Sequence, residues 1–222
     1  MSLDVRVGST APELKVSEWV QGGPVQLKDL LGDVVVIEVF QVNCPGCFIY
    51  GLPEAIDVFH KYDDKGVKVL GLATAFEDYD KNNIENLKLL LTKYETVGDT
   101  YLTLKQQTNI LNGNTLSYKI PFPVAMDLIV KESFPVQESR LMKFIQNNVP
   151  DYELYHPKDK EEIIKKANQY FESKEFSATT FEEYELKGTP SSILIDKKGI
   201  LRNVTFGSNS SLITIVETLL RE

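Results

Sequence analysis

The chain has 222 residues, of which 42% are hydrophobic and 25% charged, and its formal net charge is −8 at neutral pH. This length and composition are typical of one globular domain with room for a large insertion, and they argue against intrinsic disorder. The negative charge argues against nucleic acid or an anionic membrane surface as a partner, because both bind basic patches. The longest apolar run, at 34–40, is too short to span a bilayer and contains a glutamate, so no membrane span is expected.

The first residues lack the pattern of a signal peptide, in which basic, apolar and small residues follow one another. We therefore expect a cytoplasmic protein by default. A leader trimmed from the native chain would be invisible in this sequence, and that alternative stays open.

The first predicted elements are a turn-rich lead-in, a strand and a helix. A short helical turn is expected at 27–31, and the β-branched run 34–40 is typical of a central strand buried on both faces. A helix is expected to begin at Cys44, because Pro45 suits the first turn of a helix. Pro53 lies inside the same apolar pattern and is expected to kink this helix.

The remaining elements alternate between strand and helix patterns before a final hairpin and helix. Strands are predicted at 67–75, 122–127, 192–195 and a stretch that ends near 204, and helices at 84–111 and 212–220. This order predicts an α/β sandwich with a mixed sheet.

The segment 131–177 is charged and helical in pattern, and we expect it to be a helical insertion within a single domain, 1–222. Its charges are interpreted as a solvated face; a lid, a partner platform or a dimer contact are the alternatives. Its apolar stripe is interpreted as local core rather than a binding groove and comprises Ile163, Ile164, Ala167 and Phe171, with Tyr170 on the same apolar face.

The chain has only two cysteines, Cys44 and Cys47, at a spacing that suits redox chemistry better than structural cross-linking. A thiol attacks a disulfide as the thiolate, and the N-terminus of a helix favours that anion. Cys44 is placed at such an N-terminus and is expected to attack, whereas Cys47, one turn later, is expected to resolve the mixed disulfide. Two ordinary buried cysteines, or half of a zinc site, are the alternatives; zinc requires four ligands, and no second cysteine pair exists, so no metal is expected.

Glu38 is a second candidate catalytic residue, because it lies in the predicted buried strand six positions before Cys44. Burial of a carboxyl group raises its pKa towards neutrality, where it can exchange protons with a thiol. The alternative is a strand near the edge of the sheet, from which Glu38 reaches solvent.

Three stretches of the chain resemble thioredoxin-fold proteins. The stretch 38–47 is similar to their active-site segment, Gly188-Thr189-Pro190 is similar to their cis-proline loop, and 195–199 to the hairpin that follows it. The lead-in and the run 122–127 resemble the TlpA/ResA-like and redoxin (AhpC/TSA) branch. The resemblance covers about 1–130 and 178–222.

This resemblance implies a three-layer sandwich, with a central mixed sheet flanked by helices, an N-terminal β extension and the insertion 131–177 before the cis-proline loop. It also implies a cis peptide bond before Pro190 and a substrate-binding surface formed by Thr189, Pro190, Pro45 and Gly46. The position of Glu38 matches the buried aspartate of thioredoxin, so the resemblance implies that Glu38 exchanges protons with Cys47, directly or through water. No cofactor is implied. The implied partners are protein or small-molecule thiols and disulfides, together with an upstream electron donor or acceptor.

Two departures from the thioredoxin pattern leave the partner and the redox potential open. Asn43 stands where thioredoxins usually carry a tryptophan, so the docking surface is expected to differ. Gly46 replaces the cyclic or charged residue often found there, and it offers the thiolate no side-chain stabilisation.

Two other functions of this fold are considered. Peroxidases of the redoxin branch use a threonine, a proline and an arginine to bind peroxide, and the corresponding positions here hold Gln41, Ile37 and Pro190. Without a hydroxyl or a guanidinium group to polarise the O–O bond, efficient peroxide reduction is not expected. A copper-binding chaperone is matched less well, because it would need a three-residue spacer between the cysteines and a distant histidine.

Overall fold

The computed structural model describes residues 6–208 and 211–222, in which strands and helices alternate as follows. The strands are β1 (Val16–Gln21), β2 (Val34–Phe40), β3 (Val67–Ala73), β4 (Leu111–Asn112), β5 (Thr115–Leu116), β6 (Val124–Asp127), β7 (Ile129–Lys131), β8 (Phe176–Ala178), β9 (Ser191–Ile195) and β10 (Leu201–Phe206). The helices are α1 (Leu52–Tyr62), α2 (Ile84–Lys93), α3 (Gly98–Gln107), α4 (Glu138–Asn148), α5 (Pro157–Ser173), α6 (Thr179–Glu183) and α7 (Leu212–Arg221). A π-helical turn at Cys47–Gly51 leads directly into α1, and 3₁₀ turns lie at Leu27–Leu30, Asp63–Lys65 and Tyr152–Leu154.

Six strands form a mixed sheet in the order β1-β6-β3-β2-β9-β10. The neighbours β6, β3 and β2 are parallel, whereas β1, β9 and β10 pair antiparallel to their neighbours. This confirms the predicted α/β class with a mixed sheet and an N-terminal β extension, which is the edge strand β1. Two further pairs, β4 with β5 and β7 with β8, form small separate sheets.

Strand β2 is the buried centre of the sheet, as its composition predicts. All seven of its residues are buried, and successive side chains alternate between two hydrophobic clusters. Val36 and Phe40 pack with apolar residues of α1 and α7 on one face, while Ile37 and Val39 pack with residues of α6 and β9 on the other. The end of β2, after which the cysteine loop begins, is therefore fixed by packing on both faces of the sheet.

The single helix predicted over 84–111 is wrong, because the chain forms two helices and a short strand there. Helix α2 ends at Lys93 and is capped by Tyr94, whose φ of 60° lies in the left-handed region, and α3 begins at Gly98, whose φ is 55°. Glycine adopts that conformation without steric cost, so the chain can turn into a new helix at this position. The last residues of the predicted helix belong to β4.

The described residues divide into two compact units, of which the smaller is Val130–Ser177. Within this unit α4 and α5 pack around a local core of Leu141, Ile145, Tyr152, Ala167 and Phe171, with Ile163 and Ile164 beside it. The apolar stripe is therefore local core, as expected, except that Tyr170 is 44% exposed and stacks on Phe144. That the segment is an insertion within one domain stays a prediction. None of the described helices combines the length and apolarity that crossing a membrane requires.

Candidate active site

Cys44 and Cys47 lie between the end of β2 and the helical turn that precedes α1. They form a disulfide with a Cα–Cα distance of 5.4 Å. Cys44 is partly exposed, whereas Cys47 is completely buried. The backbone N–H of Cys47 points at Cys44 Sγ, 3.3 Å away, as expected for a sulfur at the start of a helix. In the dithiol form this donor would stabilise negative charge on Cys44.

The loop before β9 lies against this disulfide. The Thr189–Pro190 peptide bond is cis, as the resemblance implies, and the carbonyl oxygen of Thr189 is 3.6 Å from Cys44 Sγ. Pro190 packs against the helical turn, since a Cβ atom built on Gly46 would lie 3.8 Å from its Cδ. The structure thus brings Thr189, Pro190 and Gly46 together beside the cysteine pair. Pro45 is partly buried at the first position of the helical turn.

Glu38 is completely buried on the face of β2 that packs against α1. Its Oε2 accepts a hydrogen bond from Ser192 Oγ at 2.8 Å, and its Oε1 has no partner among the described residues. Burial raises the pKa of Glu38 to about 8, with a smaller contribution from the negative charge of Glu54, and the Ser192 hydrogen bond opposes the shift. The carboxyl group is therefore mostly protonated at neutral pH. The alternative of a solvent-exposed Glu38 is wrong.

Gly51 lies in the helical turn that begins at Cys47, and it faces Glu38. Its role at the site was not predicted from the sequence. A methyl group at this position would collide with Glu38 Oε1 and would lie 2.5 Å from Pro190 Cβ. Only a residue without a side chain allows the carboxyl group, the cis-proline and the helix to approach so closely. The available signal was a glycine inside a helical pattern, which often marks close approach of another group.

Asn43 is an inward-facing residue that organises the loops around the site. Its Oδ1 accepts hydrogen bonds from the backbone N–H groups of Asp99 at 2.7 Å and Thr100 at 3.4 Å, at the start of α3. Its Nδ2 donates to Asp78 Oδ2 at 2.9 Å, and its own backbone N–H donates to Asn82 Oδ1 at 2.7 Å. Asn43 therefore anchors the loop before Cys44 and contributes little exposed surface for docking.

Metal ligands are not grouped anywhere in the part of the chain that the structure describes. In the ranges 6–208 and 211–222, no three histidine, cysteine, aspartate or glutamate side chains lie together as metal ligands would. The polar and reactive groups described at this site include the two sulfur atoms, the Glu38 carboxyl group with its Ser192 partner, and the backbone around them.

Comparisons with known proteins agree with this geometry. The family model described as AhpC/TSA family matches residues 7–204. A crystal structure of a thioredoxin-like superfamily protein is 28% identical, with a TM-score of 0.60, and the match covers 96% of this chain and 97% of that one. A thiol-disulfide isomerase from Corynebacterium glutamicum is 27% identical, with a TM-score of 0.60, and 97% of each chain is covered.

A curated relative, Protein FixW of Rhizobium leguminosarum, is 32% identical over 80 residues. The match covers 35% of this chain and 34% of FixW, so it spans about a third of that relative's length. The family match, in contrast, runs from the lead-in almost to the end of β10 and includes every site residue described above. The fold is thioredoxin-like, and the chain belongs to the AhpC/TSA family.

Proposed function

We propose that this protein is a thiol–disulfide oxidoreductase in which Cys44 attacks and Cys47 resolves. The observation that carries this proposal is the difference in exposure between the two sulfur-bearing residues. Cys44 is partly exposed at the start of a helix and next to the cis-proline loop, whereas Cys47 is buried behind it. A substrate sulfur can therefore reach Cys44 first, which supports Cys44 as the residue that forms the intermolecular bond.

In the reducing direction, the Cys44 thiolate attacks one sulfur of a substrate disulfide. A bond forms between Cys44 Sγ and that sulfur, and the other substrate sulfur leaves as a thiolate. Cys47, after loss of its proton, then attacks Cys44 Sγ and releases the second substrate thiolate. The substrate disulfide is reduced to two thiols, and the protein is oxidised to the Cys44–Cys47 disulfide. A dithiol electron donor reverses these steps on the protein; the oxidising direction runs the same exchange backwards.

Glu38 is proposed to exchange protons with Cys47 during resolution: the minor ionised fraction of Glu38 accepts the thiol proton, and the protonated form returns it in the reverse reaction. A pKa of about 8 lies close to the pKa of a thiol, so proton transfer in either direction is nearly balanced. The unpartnered Oε1 provides a free acceptor position, reached directly or through one water molecule. A substrate chain is proposed to bind along the backbone of Thr189 and to contact Pro190, Pro45 and Gly46.

The comparisons support this proposal at the level of the chemistry. The Corynebacterium glutamicum relative is described as a thiol-disulfide isomerase, and it matches this chain over nearly its whole length. Protein or small-molecule thiols and disulfides are therefore the proposed substrates, with an upstream donor or acceptor of electrons. The cytoplasmic location and the absence of nucleic-acid binding stay predictions.

A trapping experiment with Cys47→Ser tests the order of attack. The variant, reduced and then mixed with a peptide that contains one disulfide, should accumulate a mixed disulfide at Cys44, because no resolving thiol remains. The matched variant Cys44→Ser should form little or none, since Cys47 is buried. Mass spectrometry of the alkylated products measures both. Equal trapping by the two variants, or trapping at Cys47 alone, would contradict the assignment.

A peroxidase is the second candidate, and the match to the AhpC/TSA family favours it. Gln41 and Ile37, which replace the threonine and proline of peroxide-binding sites, are both buried. Neither supplies the hydroxyl group that polarises the O–O bond. Fast, saturable consumption of hydrogen peroxide that depends on Cys44 would establish this function instead; we expect no saturable turnover.

A further inference from the structure

The turn that carries Cys47 is π-helical, which is unusual in its hydrogen bonding. The backbone N–H of Leu52 donates to the carbonyl oxygen of Cys47, five residues earlier, instead of to that of Phe48. Single π-turns of this kind are rare and often occur at functional sites. Here the turn spans Cys47–Gly51, so it begins at the resolving cysteine and ends at the glycine that faces Glu38.

Pro53 leaves one carbonyl group of this turn without its backbone donor. In π-helical register, the carbonyl of Phe48 would accept from the N–H of residue 53, and proline has none. The N–H of Leu52 is already bonded to Cys47. Phe48 is completely buried, and a buried carbonyl group without a donor is destabilising.

Tyr118 supplies the missing donor. Its hydroxyl group, 70 residues further along the chain, donates to the carbonyl oxygen of Phe48 at 2.7 Å. Its ring packs against the same hydrophobic cluster as Cys47 and Phe48. Burial raises the pKa of Tyr118 above its ordinary value, so the hydroxyl stays protonated and remains a donor across the working range of pH.

We propose that Tyr118 is a positioning residue for the resolving cysteine: its hydroxyl group replaces the N–H that Pro53 lacks and holds the π-turn in register. That register places Gly51, rather than a residue with a side chain, over the carboxyl group of Glu38. It also fixes the peptide group that follows Cys47. The hydroxyl group of Tyr118 bonds to the backbone of the turn, and Tyr118 acts through that backbone. This inference rests on the proposed function, since it concerns the same cysteine pair.

The test compares Tyr118→Phe with wild-type protein in buffers of graded glutathione ratio, with the free thiols read by alkylation. The disulfide ties Cys47 to Cys44 and so requires the turn in this register, whereas the dithiol is free of that constraint. Loss of the Tyr118 hydroxyl should therefore cost the disulfide form more and shift the equilibrium towards the dithiol. We expect a change of about three- to tenfold in the equilibrium constant, which is the size of one typical hydrogen bond. Circular dichroism checks that the variant is folded.

Tyr184→Phe is the matched control, because the hydroxyl group of Tyr184 likewise donates to a backbone carbonyl, that of Pro12, at 2.6 Å, and Tyr184 is buried. It belongs to the hydrophobic cluster on the opposite face of β2 from Cys47. Its loss should lower the free energy of unfolding but leave the glutathione equilibrium within about twofold of wild type. A rescue variant adds Pro53→Ala, which restores an N–H at residue 53: the effect of Tyr118→Phe should be smaller in this background.

Any one of three outcomes would overturn the proposal. The first is a redox equilibrium of Tyr118→Phe equal to that of wild type, and the second is an equal shift of the redox equilibrium in Tyr184→Phe. The third is an effect of Tyr118→Phe that is as large in the Pro53→Ala background as in wild type. Failure of the proposed function is distinguishable, since wild-type protein itself would then exchange no disulfide with glutathione. That result would overturn both proposals.

Discussion

Glu38 and Asp127 are both carboxyl side chains without exposed surface, two strands apart in the same sheet. Asp127 is fully partnered: it accepts hydrogen bonds from Thr74 Oγ1 at 2.9 Å and from the backbone N–H groups of Thr180 at 2.8 Å and Phe181 at 3.1 Å. Glu38 has a single partner, Ser192, and one oxygen that bonds to nothing among the described residues.

This difference distinguishes a carboxyl group with a structural role, Asp127, from one proposed to transfer protons, Glu38. Asp127 accepts hydrogen bonds from N–H groups in the first turn of α6, as a helix-capping residue does. It also links this helix to β6 and to Thr74, which follows β3. Glu38 caps nothing, and its free oxygen faces the turn that carries Cys47. Burial alone therefore does not single out a candidate catalytic carboxyl group; a buried oxygen without a partner, next to the cysteine pair, makes Glu38 the better candidate.

The largest expected effect is on the pH dependence of stability, and it concerns Glu38. Its pKa is about 8 in the folded protein and near 4.5 in the unfolded chain, so the folded state binds more protons between these values. The free energy of unfolding should therefore fall as the pH rises from 5 to 8, by about 4 kcal/mol from this group. The Glu38→Gln variant has no ionisable group at this position, so its free energy of unfolding should lack this pH dependence.

Chemical denaturation of both proteins at pH 5, 6, 7 and 8 measures the difference. We expect the stability of Glu38→Gln relative to wild type to increase steadily over this range. A constant difference between the two proteins would show that Glu38 is not protonated in the folded state, and the contrast with Asp127 would be lost.

The next effect is on the stability of the Asp127 region. Asp127→Ala would leave three buried donors without an acceptor, each at a cost of about 1–3 kcal/mol, so we expect a loss of at least about 3 kcal/mol. Glu38→Ala breaks only the hydrogen bond from Ser192 and should destabilise less at pH 8. Urea unfolding of both variants at this pH ranks them. The opposite order would make Glu38 the structural acid.

The smallest expected effect is on the reaction rate. Glu38→Gln should slow resolution of the mixed disulfide about 100-fold at pH 7, because a positioned base typically contributes at least this factor. The folded fraction of Asp127→Asn should resolve within about threefold of wild type. Rapid-quench alkylation of the mixed disulfide measures both rates. Equal slowing in the two variants would indicate a general loss of structure rather than a catalytic role.

Much of the site was predictable because its signals are local. The bounds of β2 follow from a β-branched run, the position of Cys44 from the strand and proline around it, and the cis-proline loop from three residues that resemble a known family. The burial of Glu38 was predictable too, since a residue inside a short, otherwise apolar strand has no exposed face.

What could not be predicted depends on partners far away in the sequence. The π-turn requires a hydroxyl group from Tyr118, and the inward orientation of Asn43 requires free N–H groups at the start of α3. The break between α2 and α3 was missed because Tyr94 adopts a left-handed conformation that its residue type does not favour. Asp127 was placed in a strand, but nothing local shows that Thr74 and α6 supply its donors.

The proposed chemistry requires that Cys44 and Cys47 cycle between dithiol and disulfide. Equilibration of wild-type protein in glutathione buffers, with mass spectrometry of the alkylated thiols, tests this requirement without any assumption about the substrate. We predict a single two-electron transition to one intramolecular disulfide, which is absent in Cys44→Ser and in Cys47→Ser. An intact wild-type protein that keeps both thiols free at every ratio would contradict the proposed chemistry.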